Sequence, residues 1–115
     1  MADKYHKIAE ELRGPARDLR SEIPEVIKGY AELHAAATAE GVLSKKTKEL
    51  IALAISVVTR CDGCISSHAK ALAMQGAERD EVAEAIGVAI MLSGGPGTVY
   101  GPRAFEAFLE YQEAR

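Results

Sequence analysis

Cys61 and Cys64 are the only two cysteines of the 115-residue chain, and they stand together in the run Cys61-Asp62-Gly63-Cys64. Glu49 precedes them and His68 follows, in an otherwise Ala- and Leu-rich stretch. Two thiols at this spacing near the start of a helix can close a disulfide and reopen it. The imidazole and the carboxylate are the groups that would tune such chemistry. The main rival is a zinc site that uses Cys61, Cys64, His68 and Glu49. The ligand types suit it, but paired ligands on one helix strain a tetrahedral arrangement. A third reading is structural, a pair of small buried residues at a helix junction.

At 100° per residue, and with Cys61 taken as zero, Cys64 falls near 300° and His68 near 340°. Roughly a 60° arc therefore holds all three. His68 is four residues beyond Cys64, the spacing at which side chains meet on a helix surface, and an imidazole there can take the thiol proton. The helix N-terminus favours the thiolate, and Arg60 adds positive charge beside the pair. If the chain reverses over residues 60–63, Glu49 lies about 16 Å back along one helix and His68 about 10 Å forward along the next. In an antiparallel hairpin the two reach similar heights, so carboxylate, imidazole and thiol read as a proton relay.

The elements that must position these groups are all helical. No alternating apolar and polar run enriched in β-branched residues is present. The pattern predicts a first helix over Lys4 to Leu12, ended by Gly14-Pro15. A second starts with Pro24 in its first turn and runs to about Ala39, closed by Gly41. Ser44 is a good N-cap for a third helix from Lys45 to about Thr59. The cysteine pair opens a fourth, which runs to about Gln75 and stops at Gly76. A fifth spans Glu78 to Ser93 with acidic residues in its first turn. Gly94-Gly95-Pro96-Gly97 reads as a helix break and a flexible flap, not a phosphate cradle, because the strand and lysine of a P-loop are missing. A last helix follows.

Composition sets the broad class. The length fits one domain over residues 1–115. Fourteen basic residues stand against 17 acidic, a net charge of -3, with the basic residues scattered, so neither nucleic acid nor an anionic membrane is an expected partner. The longest charge-free runs are too short to span a bilayer, and the first residues lack an apolar signal-peptide region, so a soluble cytoplasmic protein is expected. In a reducing cytoplasm a close cysteine pair is more often catalytic or metal-binding than a staple.

Hydrophobic residues make up 48% of the chain but aromatics only 5%, so the core must be Ala, Leu, Ile and Val. Two helices lack a polar face. One carries Leu50, Ile51, Leu53, Ile55, Val57 and Val58; the other carries Val82, Ile86, Val88, Ile90, Met91 and Leu92. A small lone domain rarely buries two such helices, which predicts a homo-oligomer. Met74 and Met91 read as ordinary core. His6 and His34 lack chemical partners nearby in sequence and read as surface or interface residues. Tyr30, Tyr100 and Tyr111 suit an interface or a pocket mouth.

Glu49, eleven intervening residues, Cys61-x-x-Cys64, three residues and then His68 resembles the alkylhydroperoxidase AhpD-like core of the carboxymuconolactone decarboxylase superfamily. The resemblance runs from about Pro24 through Ser93 and includes Gly76-Ala77. It implies an all-α bundle that assembles as a homo-trimer or homo-hexamer, and a thiol-dependent peroxidase or disulfide reductase with no cofactor beyond the redox-active Cys61–Cys64 disulfide. Cys64 would attack a hydroperoxide, activated through His68 and Glu49, and Cys61 would resolve the sulfenic acid. Cys61 is the cysteine expected to face incoming disulfide partners. A dithiol such as a lipoyl or thioredoxin-like protein would reopen the disulfide. The best-known hydroperoxidases of the family carry histidine immediately before the second cysteine. Gly63 stands there in this chain, which implies weaker peroxidase activity or a role limited to disulfide exchange. Alternatives are a γ-carboxymuconolactone decarboxylase-like enzyme, and a zinc-binding or structural oligomer without redox activity.

Overall fold

The computed structural model describes residues 3–115, which form six α-helices and no strand. In chain order they are α1 Lys4–Glu22, α2 Pro24–Thr38, α3 Lys45–Thr59, α4 Asp62–Met74, α5 Arg79–Ser93 and α6 Gly95–Glu113. Local chemistry sets several of these boundaries. Ser44 caps α3 by accepting the Thr47 N–H at 3.1 Å, as its position predicts. Glu78 and Glu81 form a capping box at the start of α5. Gly76, at φ 72°, takes the left-handed turn after α4 that a side chain would resist.

The helices α3 to α6 build the body. α4 and α5 pack along α6, and α3 lies against α4 and α5. Leu53, Val57, Ile65, Leu72, Val82 and Phe108 are completely buried where they meet. Each contributes about 1.5–3 kcal/mol by leaving water. α5 and α6 approach closely at Gly97, where an added Cβ would stand 2.9 Å from the Ile90 Cα. Gly94-Gly95-Pro96-Gly97 is therefore a packed corner and not a flap. Gly94 turns the chain at φ 65°, and Pro96 occupies the first turn of α6.

α1 differs most from the sequence-based expectation. It continues through Gly14-Pro15 to Glu22 where a stop after Leu12 was predicted. Pro15 forfeits one helical hydrogen bond, but the segment is solvent-exposed and water can reach the Glu11 carbonyl it leaves free. The N-terminal end of α1 is held firmly. Tyr5 is fully buried, its N–H donates to Glu110 at 3.0 Å, and its carbonyl accepts from Ser66 at 2.7 Å. Gly41 also departs from expectation, because α2 ends at Thr38 with an extended Ala39 and Gly41 lies in the turn beyond.

α2 is peripheral and buries none of its residues. The two helices expected to be apolar all round, α3 and α5, bury only one face each. Ile55, Val88 and Leu92 remain 56%, 55% and 74% exposed. Met74 and Met91, expected in the core, are 66% and 73% exposed, since both lie on the faces of α4 and α5 turned away from it. No helix among the described residues is long and apolar enough to cross a membrane.

Candidate functional site

The hairpin α3–α4 carries the site. Arg60 closes α3 in the left-handed region at φ 56°, and its N–H returns to the Ser56 and Val57 carbonyls. Its contribution is this reversal of the backbone; it does not line the cavity beside the cysteines. The reversal leaves Cys61 as the N-cap of α4, with extended backbone. Cys61 is therefore off the helical arc assigned to it from sequence. Its Sγ turns back over the first turn of α4 and accepts the Cys64 N–H at 3.2 Å.

Cys61 and Cys64 are joined as a disulfide, their Cα atoms 5.2 Å apart. Cys64 is the exposed partner and Cys61 is half-buried, so Cys64 is the more accessible residue of the pair, the reverse of the expected order. Behind them the Glu49 Oε1 and the His68 Nδ1 lie 2.6 Å apart. The Glu49 side chain is 3% exposed and that of His68 is 19% exposed. With Nδ1 committed to the carboxylate, Nε2 is the imidazole nitrogen left for proton traffic. Among the described residues no group of three or more His, Cys, Asp or Glu is arranged to hold a metal ion.

Cys61, Cys64 and His68 line one open cavity of about 460 Å³. Leu12 from α1, and Tyr30 and His34 from α2, complete its walls. Gly63 forms part of the floor, and a Cβ added there would come within 3.1 Å of the Leu12 side chain. His34 has a partner after all, since its ring stacks on His68 at 6.3 Å between centroids and 14° between planes. Tyr30, one turn earlier, stands 6.4 Å from the His34 ring. Tyr30 lies at a pocket, one of the two places its type suggested, whereas nothing in the sequence marked Leu12 or His34 for this cavity. They reach the cysteines through the crossing of separate helices, not through spacing along one.

His6 is likewise partnered. It pairs with Glu110 at 2.5 Å and lies against Tyr111, whose hydroxyl bonds to Ser66 at 2.7 Å. Burial pushes the Glu110 carboxyl up, but the Tyr5 N–H and then the His6 imidazole and N–H outweigh it and hold the carboxyl below its ordinary value. This pair ties α1 to α6 and lies outside the cavity of the cysteines.

The sequence profile of the carboxymuconolactone decarboxylase family matches residues 24–111. The chain is 34% identical over 85 residues to an uncharacterised protein of Cupriavidus necator, an alignment that covers 74% of this chain and 75% of that one. Its structure is similar to the crystal structure of a carboxymuconolactone decarboxylase family protein from Legionella pneumophila. The TM-score is 0.93 at 40% identity, covering 96% of this chain and 99% of that one. A Thermotoga maritima structure aligns with a TM-score of 0.74 at 32% identity, over 84% and 91% of the two chains. The match takes in α2 to α6 with the whole cysteine hairpin, and the chain belongs to the carboxymuconolactone decarboxylase family.

Proposed function

We propose that this chain is a thiol–disulfide oxidoreductase that reduces hydroperoxides at Cys64 and is itself reduced by a dithiol. The observation that carries the reading is the Glu49–His68 pair, buried behind a cavity that also exposes the Cys61–Cys64 disulfide. A carboxylate that orients an imidazole, beside an accessible sulfur, is the arrangement that activates a nucleophile.

The two sulfurs divide the work. Cys64 is exposed in the disulfide form and four residues from His68, which supports it as the thiol that meets a peroxide once the pair is reduced. Its thiolate takes the terminal oxygen, the O–O bond breaks, and an alcohol leaves with a proton. Cys61 then attacks the sulfenic acid and releases water as the disulfide closes. For the return, one thiol of an external dithiol attacks the Cys64 sulfur and Cys61 leaves. Cys61 is a good leaving group because the α4 N-terminus and the Cys64 N–H stabilise its thiolate. The second external thiol then releases Cys64, and the external dithiol departs as its own disulfide. A lipoyl or thioredoxin-like protein has the required chemistry, and the cytoplasm is the compartment that would supply it.

Cys64→Ser should abolish hydroperoxide consumption driven by dithiothreitol; full activity in that variant overturns the reading. Elemental analysis of protein purified without added metal separates it from a zinc site. Near-stoichiometric zinc held by both thiols would overturn it as well. Decarboxylation of a lactone has no use for the cysteine pair, so a lactone-consuming activity that survives Cys64→Ser would favour that chemistry.

A further inference from the structure

The redox cavity holds a second imidazole that the scheme above does not use. His34 reaches it from α2, on a helix that contributes nothing to the core. Its ring is near-parallel to that of His68, and the two stand as neighbours on one wall. They are not equivalent. His68 is bound through Nδ1 to the buried Glu49, whereas among the described residues no carboxylate is bonded to the His34 ring. His34 also lines a second open cavity of about 550 Å³, together with Lys45 and Glu49. It is thus the residue shared by the space in front of the disulfide and a separate opening to solvent.

Reduction of a peroxide or a disulfide by a thiolate needs two different proton services. One group must keep the attacking thiol ionised, and another must supply a proton to the group that leaves. His68, oriented by the Glu49 carboxylate and one helical step from Cys64, is placed for the first service, which leaves the second to another group of the cavity. The cavity lining contains no lysine, arginine or carboxylic acid. Besides the thiols and His68, its proton-bearing side chains are Tyr30, Ser67 and His34, and a phenol and an aliphatic hydroxyl are weak acids at neutral pH.

We propose that His34 is the catalytic acid of this cavity, protonating the group expelled when the Cys64 thiolate attacks, and that it is reprotonated from the second cavity. The proposal rests on the thiol-redox reading above. With a hydroperoxide, the sulfur–oxygen bond forms as the O–O bond breaks. Sulfur is oxidised by two electrons, and the departing alkoxide takes the His34 proton to leave as the alcohol. With an external disulfide, the new S–S bond forms as the old one breaks, and the departing thiolate takes the same proton. The titratable groups around His34 are Tyr30 on α2, His68 on α4, and Lys45 and Glu49 on α3.

The test compares leaving groups that need a proton with leaving groups that do not. Reduced wild-type protein and His34→Gln are reacted in single turnover with tert-butyl hydroperoxide and hydroxyethyl disulfide, which expel strongly basic groups. The same proteins are reacted with iodoacetamide and dithiodipyridine, which expel iodide and a weakly basic thione. The expected result is a loss of roughly 100-fold with the first two reagents, the lower range of general acid catalysis. Rates with the other two stay within about twofold, with an unchanged pH profile. A parallel fall with all four reagents assigns His34 to thiolate activation or structure and overturns the proposal. Unchanged rates with all four overturn it too. If wild-type protein ignores the hydroperoxide, the peroxidase reading falls by itself, and the contrast between the two disulfides still decides the role of His34.

Discussion

Glu49 and His68 meet across the α3–α4 hairpin with 2.6 Å between Oε1 and Nδ1, and the carboxylate is almost wholly withdrawn from water. Among the described residues His68 is the only hydrogen-bond partner of the Glu49 side chain, so the two residues stand or fall together. Burying a carboxylate is expensive unless its charge is met, and removing one member of a buried pair strands the other. His68→Ala should therefore lower stability by about 3 kcal/mol, read as a shift in the urea midpoint. Glu49→Gln keeps the shape and removes the charge. It should cost far less stability but slow alkylation of the reduced thiols at neutral pH by roughly tenfold or more, since the imidazole loses the group that orients it. Alkylation at the wild-type rate in Glu49→Gln would disconnect the pair from the sulfurs.

A second carboxylate governs the response to acid. Glu110 is held below its ordinary pKa of 4.5, where burial alone would raise it, because the Tyr5 N–H and His6 donate to it. The folded protein thus binds the Glu110 proton less readily than the unfolded chain does. This stabilisation is complete above about pH 4.5 and drains away as the pH falls through the lower, folded value. The expected outcome is a loss of thermal stability in that acid window. The loss should be shallower in Glu110→Gln, which begins less stable at pH 7 and has no charge there to lose. Identical acid slopes for the two proteins would remove Glu110 as the cause.

Glycines separate the rigid from the permissive parts of the bundle. Gly97 faces the Ile90 backbone at a distance no Cβ tolerates, and backbone cannot step aside as a side-chain tip can. Gly97→Ala should force α5 and α6 apart and cost about 1–3 kcal/mol. Gly14, inside α1, has nothing within 4 Å of an added Cβ. Gly14→Ala should stabilise by about 0.5–1 kcal/mol through helix propensity alone. The two midpoints moving in opposite directions is the result to look for in parallel denaturant titrations.

The site was readable from sequence where it is local. Cys64 and His68 are one helical step apart, and Glu49 enters by the arithmetic of a single hairpin. His34, Tyr30 and Leu12 arrive on helices whose angle to α4 is set by tertiary packing, which leaves no periodic trace. The His6–Glu110 pair is hidden for the same reason, its members being 104 positions apart. The hairpin itself departs from helical spacing at one residue. Cys61 is a cap and not a helical residue, because Arg60 takes a left-handed conformation that sequence usually signals with glycine. The six helices were legible from caps and periodicity. Gly14-Pro15 misled because propensity describes an isolated helix, whereas α1 is pinned at Tyr5.

Last comes the exposed apolar surface. Val26 and Leu33 on α2 are 63% and 65% exposed, and Ile55, Met91 and Leu92 extend the uncovered area on α3 and α5. We propose that further copies of the 12.3 kDa chain cover this apolar area. Light scattering should give a mass of several chains for the wild type. Val26→Asp with Leu33→Asp removes two anchors, each worth about 1.5–3 kcal/mol when buried. Association should weaken by roughly 100-fold or more, so that the 12.3 kDa chain predominates at micromolar concentration. The same helix carries Tyr30 and His34 into the cavity of the cysteines, so under the proposed function the dissociated variant should also react more slowly with hydroperoxide. A wild-type protein that runs as a single chain would sink the assembly and leave the cavity complete within one subunit.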